Sequence, residues 1–188
     1  MLLSREEYVQ QYGCKVVRLC RGTGIFPQTV LAQSIIESQG NVDGIYRVGA
    51  SKLATNANNY FGMKQGSWTG PVYNADTMEY SASSNTYDIN ASFRKYNDWS
   101  QSVRDYIANL RDHYPGVALA PTYQEQIRLI AAHGYSTNPN YATQVIALAD
   151  KVNDLMNQYH INTRCSLLFP LLAVGAAVVV GIIAYEKQ

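Results

Sequence analysis

The sequence predicts an α+β protein, mostly helical with a small β-hairpin lobe inserted near its middle, plus a C-terminal transmembrane helix. Three observations carry this. Apolar residues recur at helical spacing through most of residues 1–160. Between Gly66 and Lys95 helix formers give way to Ser, Thr, Asn, Gly and β-branched residues. There Tyr87, Ile89, Ala91 and Phe93 alternate with Asp88, Asn90, Ser92 and Arg94, the period-2 pattern of a strand. From Ser166 to Tyr185 runs an uncharged, mostly apolar stretch of about 20 residues, the length that spans a bilayer core of roughly 30 Å. The expected division is one domain over 1–160, a linker over 161–165 and a membrane-spanning helix over 166–185.

Each element has a local reason. Ser4 and Glu7 have capping-box spacing, and Tyr8, Val9, Tyr12, Val16 and Leu19 follow on one face, so a first helix runs from about Ser4 to Arg21. Gly22-Thr23-Gly24 ends it. A second helix opens at Pro27, where a missing N–H costs nothing, and stops before Gly40. In it Leu31, Ala32, Ile35 and Ile36 gather on one side and Gln33, Ser34 and Glu37 on the other. By periodicity alone, Glu37 reads as a solvated surface carboxylate.

Gly40 to Gly44 reads as a turn-rich piece, followed by a short helix near Ala50 to Ala57. Phe61 and Met63 are expected core anchors, with Gly62 permitting a tight bend between them. Val72 to Tyr80 forms the partner of the Tyr87–Phe93 strand, joined through Ser81 to Asn85. Glu79 lies on the face of Tyr73, Ala75 and Thr77, where pattern alone makes it a solvated edge charge. Helices resume from Ser100 to His113, from Thr122 to His133, and from Pro139 to Tyr159, separated by Pro115-Gly116 and by the Gly134–Pro139 loop.

Composition narrows the function. Net charge is +1 and 15% of residues are charged, with no basic run, so no nucleic-acid partner is implied. Tyrosine is abundant, 15 residues against 4 Phe and 2 Trp, and its apolar face with a hydrogen-bonding tip suits sugar rings as well as half-wet interfaces. The three cysteines make no zinc spacing with His113, His133 and His160. Cys14 and Cys20 face different ways on the first helix, so the cysteines read as small buried hydrophobes rather than a disulfide framework. Met1 to Glu7 lacks the apolar run of a secretory signal.

Four stretches in sequence order carry a family resemblance. They are Val30-Leu31-Ala32-Gln33-Ser34-Ile35-Ile36-Glu37-Ser38; Asn59-Tyr60-Phe61-Gly62-Met63-Lys64; Thr77-Met78-Glu79-Tyr80 with Phe93-Arg94-Lys95-Tyr96 and Trp99 to Tyr106; and Gly134-Tyr135-Ser136-Thr137-Asn138-Pro139-Asn140-Tyr141-Ala142. Together, over about residues 25 to 150, they resemble the bacterial glucosaminidase family of peptidoglycan hydrolases, glycoside hydrolase family 73. Two departures stand out: Gln39-Gly40 occupies the place of the family's Trp-Gly, and Met78 interrupts its Thr-Glu-Tyr.

The resemblance implies a lysozyme-like fold in which the hairpin faces the helical body across a groove. It implies Glu37 as catalytic acid, and for the second role either Glu79 as the carboxylate that activates an attacking water or the sugar's own 2-acetamido group attacking C1. Tyr135, Tyr141, Asn59 and Gln33 are the implied substrate-binding residues, and no metal or cofactor is called for. The substrate would be the peptidoglycan glycan strand, cut as by an endo-β-N-acetylglucosaminidase. A lysozyme-like muramidase or lytic transglycosylase is the enzymatic alternative, and a non-catalytic wall-binding or assembly protein the alternative of another class. With the expected helix in a lipid bilayer and no signal, reaching the wall would require translocation, a secretion system, or a place in the internal membrane of a virus-like particle.

Overall fold

The computed structural model describes residues 2–80 and 86–167, and the side chains of 77–89 and 166–167 lie outside that description. Helix α1 (Arg5–Cys20) starts with the expected box: the Glu7 amide donates to Ser4 Oγ at 3.2 Å and the Ser4 amide to Glu7 Oε2 at 2.8 Å. Helix α2 (Pro27–Ser38) has Phe26 at its N-cap with no side-chain cap. Gln126, fully buried, substitutes for it. Its Oε1 accepts the Phe26 amide at 2.9 Å, while its Nε2 donates to the Gly24 and Val117 carbonyls.

α2 is the centre of the molecule. Its apolar face is buried as expected, but so is much of its polar face: Thr29, Gln33, Ser34 and Ser38 have no exposed surface. Buried polar side chains need partners, and two of these find them locally. Ser34 Oγ donates to the Leu31 carbonyl and Ser38 Oγ to that of Ser34. Tyr8 of α1 donates to Ser34 Oγ at 3.0 Å and receives the indole N–H of Trp99 at 2.7 Å. Tyr8 is therefore an internal strut between α1, α2 and Trp99.

After α2 come two short antiparallel strands, β1 (Gly40–Val42) and β2 (Ile45–Arg47). The tight turn between them puts Asp43 and Gly44 at φ 51° and 82°, as a primed hairpin turn requires. Helix α3 (Lys52–Ala57) follows. Strands β3 (Val72–Tyr80) and β4 (Thr86–Arg94) pair antiparallel, with Ala75 opposite Ala91 and Glu79 opposite Tyr87. The foot of this hairpin is sewn to the body: the Arg94 amide donates to the Met63 carbonyl and the Gln65 amide to that of Ser92.

The remaining helices are α4 (Trp99–His113), α5 (Tyr123–Ala132), α6 (Tyr141–Gln158) and α7 (Ile161–Leu167). α4 begins one residue before Ser100 because Asp98, not Ser100, caps it, its carboxylate accepting the Gln101 amide at 2.8 Å. α1, α5 and α6 all pack against α2.

Two expectations are corrected here. The first is the transmembrane helix: no helix among the described residues is long and apolar enough to cross a membrane. Residues 161–165 lie in α7, a helix of seven residues with Asn162, Thr163 and Arg164 exposed and Ile161 and Cys165 buried against the body. Exposed Asn, Thr and Arg side chains here belong in water rather than in a bilayer core. The rest of the expected span, 168–185, lies outside the described residues. The second correction concerns the cysteines. Cys14 and Cys165 form a disulfide between α1 and α7, with Cα atoms 5.4 Å apart, while Cys20 is a buried free thiol. Linear spacing of 151 residues hid a pair that folding makes adjacent.

Candidate active site

Glu37 sits in the last turn of α2 and opens onto a groove of about 610 Å³ lined also by Gly62, Lys64, Arg94, Asn109, Tyr114 and Tyr135. Burial raises its pKa above the ordinary carboxylate value, and a hydrogen bond from Tyr141 opposes part of that rise. It is the one carboxylate among the described residues lining the groove. A carboxyl group whose protonated form is favoured by burial, beside an open cleft, can deliver a proton to a bound ether oxygen.

Two tyrosines from the last family stretch converge on this carboxylate. Tyr141 Oη donates to Glu37 Oε1 at 2.9 Å and accepts from Gln33 Nε2 at 3.0 Å. Tyr135 stacks on Tyr141 with ring centres 5.7 Å apart, and its hydroxyl donates to the Phe61 carbonyl at 2.8 Å. Burial pushes the hydroxyls of Tyr106, Tyr135 and Tyr141 well above their ordinary range, so all three are neutral. Those of Tyr135 and Tyr141 donate, whereas that of Tyr106 is buried with no hydrogen-bond partner among the described residues.

The Asn59–Lys64 stretch forms the groove's other lip. Asn59 is fully buried and holds the loop's shape: Nδ2 donates to the Met63 and Arg94 carbonyls, and Oδ1 accepts the Met63 amide at 3.0 Å. Phe61 stacks on Tyr106 at 4.0 Å with the rings nearly parallel. Gly62 has φ 64°, and a Cβ there would stand 3.8 Å from Glu37 Oε2, so this loop brings bare backbone up to the carboxylate.

Of the residues expected at the site, Glu37, Tyr135 and Tyr141 are brought together directly. Asn59 acts on the loop beneath, and Gln33, with no exposed surface, is linked to Glu37 through the Tyr141 hydroxyl. Glu79 is at the far end of β3, opposite Tyr87, and its side chain lies outside the description. Sequence reasoning did not single out Arg94. Its guanidinium lies in the groove wall, donates to Asp105 at 2.7 Å and to the Lys64 carbonyl at 3.0 Å, and rests against Trp68. Asp105 also accepts from Tyr96 Oη at 2.6 Å, joining β4 to α4. The signal was present, since Arg94, Tyr96 and Asp105 all fall within the third stretch.

The family model described as glucosaminidase, mannosyl-glycoprotein endo-beta-N-acetylglucosaminidase, matches residues 14–159. The chain belongs to the glucosaminidase family. It is 31% identical over 134 residues to the exo-glucosaminidase LytG of Bacillus subtilis, covering 68% of this chain and 44% of that protein. It is 29% identical over 133 residues to the peptidoglycan hydrolase FlgJ of Salmonella typhimurium, covering 69% of this chain and 40% of the relative. The chain thus matches less than half the length of either relative. Among solved structures, the catalytic domain of the autolysin Auto from Listeria monocytogenes superposes with a TM-score of 0.62 at 26% identity, covering 85% of this chain and 86% of that one. The glucosaminidase match takes in Glu37, the Asn59–Lys64 lip, the β3–β4 hairpin and both tyrosines.

Proposed function

We propose that this glucosaminidase hydrolyses peptidoglycan, cutting the glycan strand internally at N-acetylglucosaminidic bonds. The observation that carries the reading is Glu37: a carboxyl raised toward the protonated form by burial, at the edge of an open groove, in a chain of the glucosaminidase family. As the C1–O bond breaks, Glu37 passes its proton to the departing oxygen, leaving an oxocarbenium-like centre at C1. That centre is met by a water activated by Glu79, or by the sugar's own 2-acetamido oxygen. Relatives named exo-glucosaminidase and peptidoglycan hydrolase support this substrate class. The Cys14–Cys165 disulfide suits an oxidising compartment, where such bonds persist.

The test is release of new reducing ends from purified cell walls, with mass spectra of the fragments. Wild type is expected to generate reducing N-acetylglucosamine ends, and Glu37→Gln to lose at least about 10²-fold of that rate, the scale of a general acid's contribution, while keeping its fold. Retained activity in Glu37→Gln overturns the assignment of the acid. Anhydro-muramic ends from the wild type would instead identify a transglycosylase. Wall binding without cleavage by either protein would identify a binding module.

A further inference from the structure

The polar side chain behind the catalytic carboxylate is Gln33, one turn before Glu37 on α2 and fully buried. Its Nε2 donates to Tyr141 Oη at 3.0 Å, and Tyr141 Oη donates to Glu37 Oε1 at 2.9 Å. A phenol has one proton. Because the Tyr141 oxygen receives the amide N–H of Gln33, its own proton is directed away from Gln33 and toward Glu37.

We infer that Gln33 is a positioning residue: by orienting the Tyr141 hydroxyl onto Glu37 Oε1, it leaves Oε2 as the oxygen that carries the proton delivered to the glycosidic bond. The inference rests on Glu37 being the catalytic acid. An oxygen already accepting an O–H has a lone pair engaged there, so the carboxyl proton belongs on its neighbour. Oε2 is also the oxygen facing Gly62, where no side chain intrudes: a Cβ at that position would lie 3.8 Å away. Gln33 therefore acts at one remove, selecting between two chemically equivalent oxygens. Burial enforces the selection, since no bulk water competes for Gln33's amide or for the hydroxyl.

The titratable groups facing Glu37 from the elements around it are the hydroxyls of Tyr141 on α6, Tyr135 before it and Tyr106 on α4, each held neutral by burial. Lys64 and Arg94 line the same groove, Arg94 in its pair with Asp105. Of these, Tyr141 is the group hydrogen-bonded to Gln33, so a change made at Gln33 is transmitted to Glu37 through Tyr141. The Tyr141 hydrogen bond favours the carboxylate, hence weakening it moves the Glu37 midpoint upward.

The test is a double-mutant cycle of Gln33→Met and Tyr141→Phe, read in two ways: carbon-13 carboxyl NMR titration of Glu37, and steady-state release of reducing ends from glycan strands. Tyr141→Phe is expected to raise the Glu37 midpoint and Gln33→Met to raise it less. Gln33→Met is expected to lower kcat roughly tenfold, a partial loss of a proton-transfer contribution, with KM within about twofold. In the Tyr141→Phe background, Gln33→Met should change neither the midpoint nor kcat further, because the path is already cut. An unmoved midpoint in Gln33→Met, or equal effects in both backgrounds, overturns the inference. Gln33→Leu serves should Met at this position fail to fold. A wild type that cleaves nothing overturns the proposed function instead, and the titration still decides the relay.

Discussion

Burial raises the Glu37 pKa above its ordinary value of 4.5, and this couples chemistry to stability. The folded state holds the proton more tightly than the unfolded chain, so the fold gains no penalty from Glu37 at low pH. It loses ground as pH rises from the ordinary value toward the raised one. Glu37→Gln removes an ionisation that folding disfavours. Its thermal midpoint should therefore exceed wild type by more at about pH 7 than at about pH 4, as scanning calorimetry at the two pH values would measure. An equal difference at both would mean that Glu37 titrates normally. At this scale the sequence was half legible. Glu37 and Gln33 could be placed on one helix face by their four-residue spacing, but that face was read as solvated. In the fold Glu37 meets the hydroxyl of Tyr141, 104 residues further on, which no local pattern connects to α2.

The elements were more legible, because caps and periodicity act locally. Ser4 and Glu7 announced α1, Pro27 announced α2, and the alternation through Phe93 announced β4. The β1–β2 hairpin was read only as turns, although Asp43-Gly44 is a primed-turn pair, since strands of three residues leave too little alternation to detect. Close approach between elements was hidden as well. Gly24, in the turn joining α1 to α2, has φ 76°, and a Cβ there would come within 2.2 Å of the Ala118 carbonyl oxygen. That neighbour is backbone held in place by the Val117–Gln126 contact, so it cannot swing aside. Gly24→Ala should destabilise the protein by roughly 2–4 kcal/mol, the range for strain compounded by overpacking, measured by urea unfolding. A loss below about 0.5 kcal/mol would mean that the turn yields freely.

For the molecule as a whole, the Cys14–Cys165 bridge joins residues 151 apart and holds α7 on α1. Closing so long a loop restricts the unfolded chain strongly, and Cys165→Ser or reduction should cost roughly 2–4 kcal/mol, seen as a drop in thermal midpoint on adding reductant. Thiol counting checks the pairing independently. Cys20, buried with its pKa pushed up to about 12, should stay unreactive in the native protein and supply the single thiol after denaturation without reductant. Three thiols under that condition would refute the bridge.

The sequence by itself determined the helical body, the inserted hairpin and the order of the four stretches that mark a glucosaminidase, since periodicity, capping and motif spacing are properties of neighbouring residues. Only the tertiary structure decided that the polar face of α2 is interior, that Tyr141 holds Glu37, that Cys14 meets Cys165, and that residues 161–167 fold back as α7. Each of these depends on which surfaces exclude water together, and that is set by packing between elements far apart in the chain.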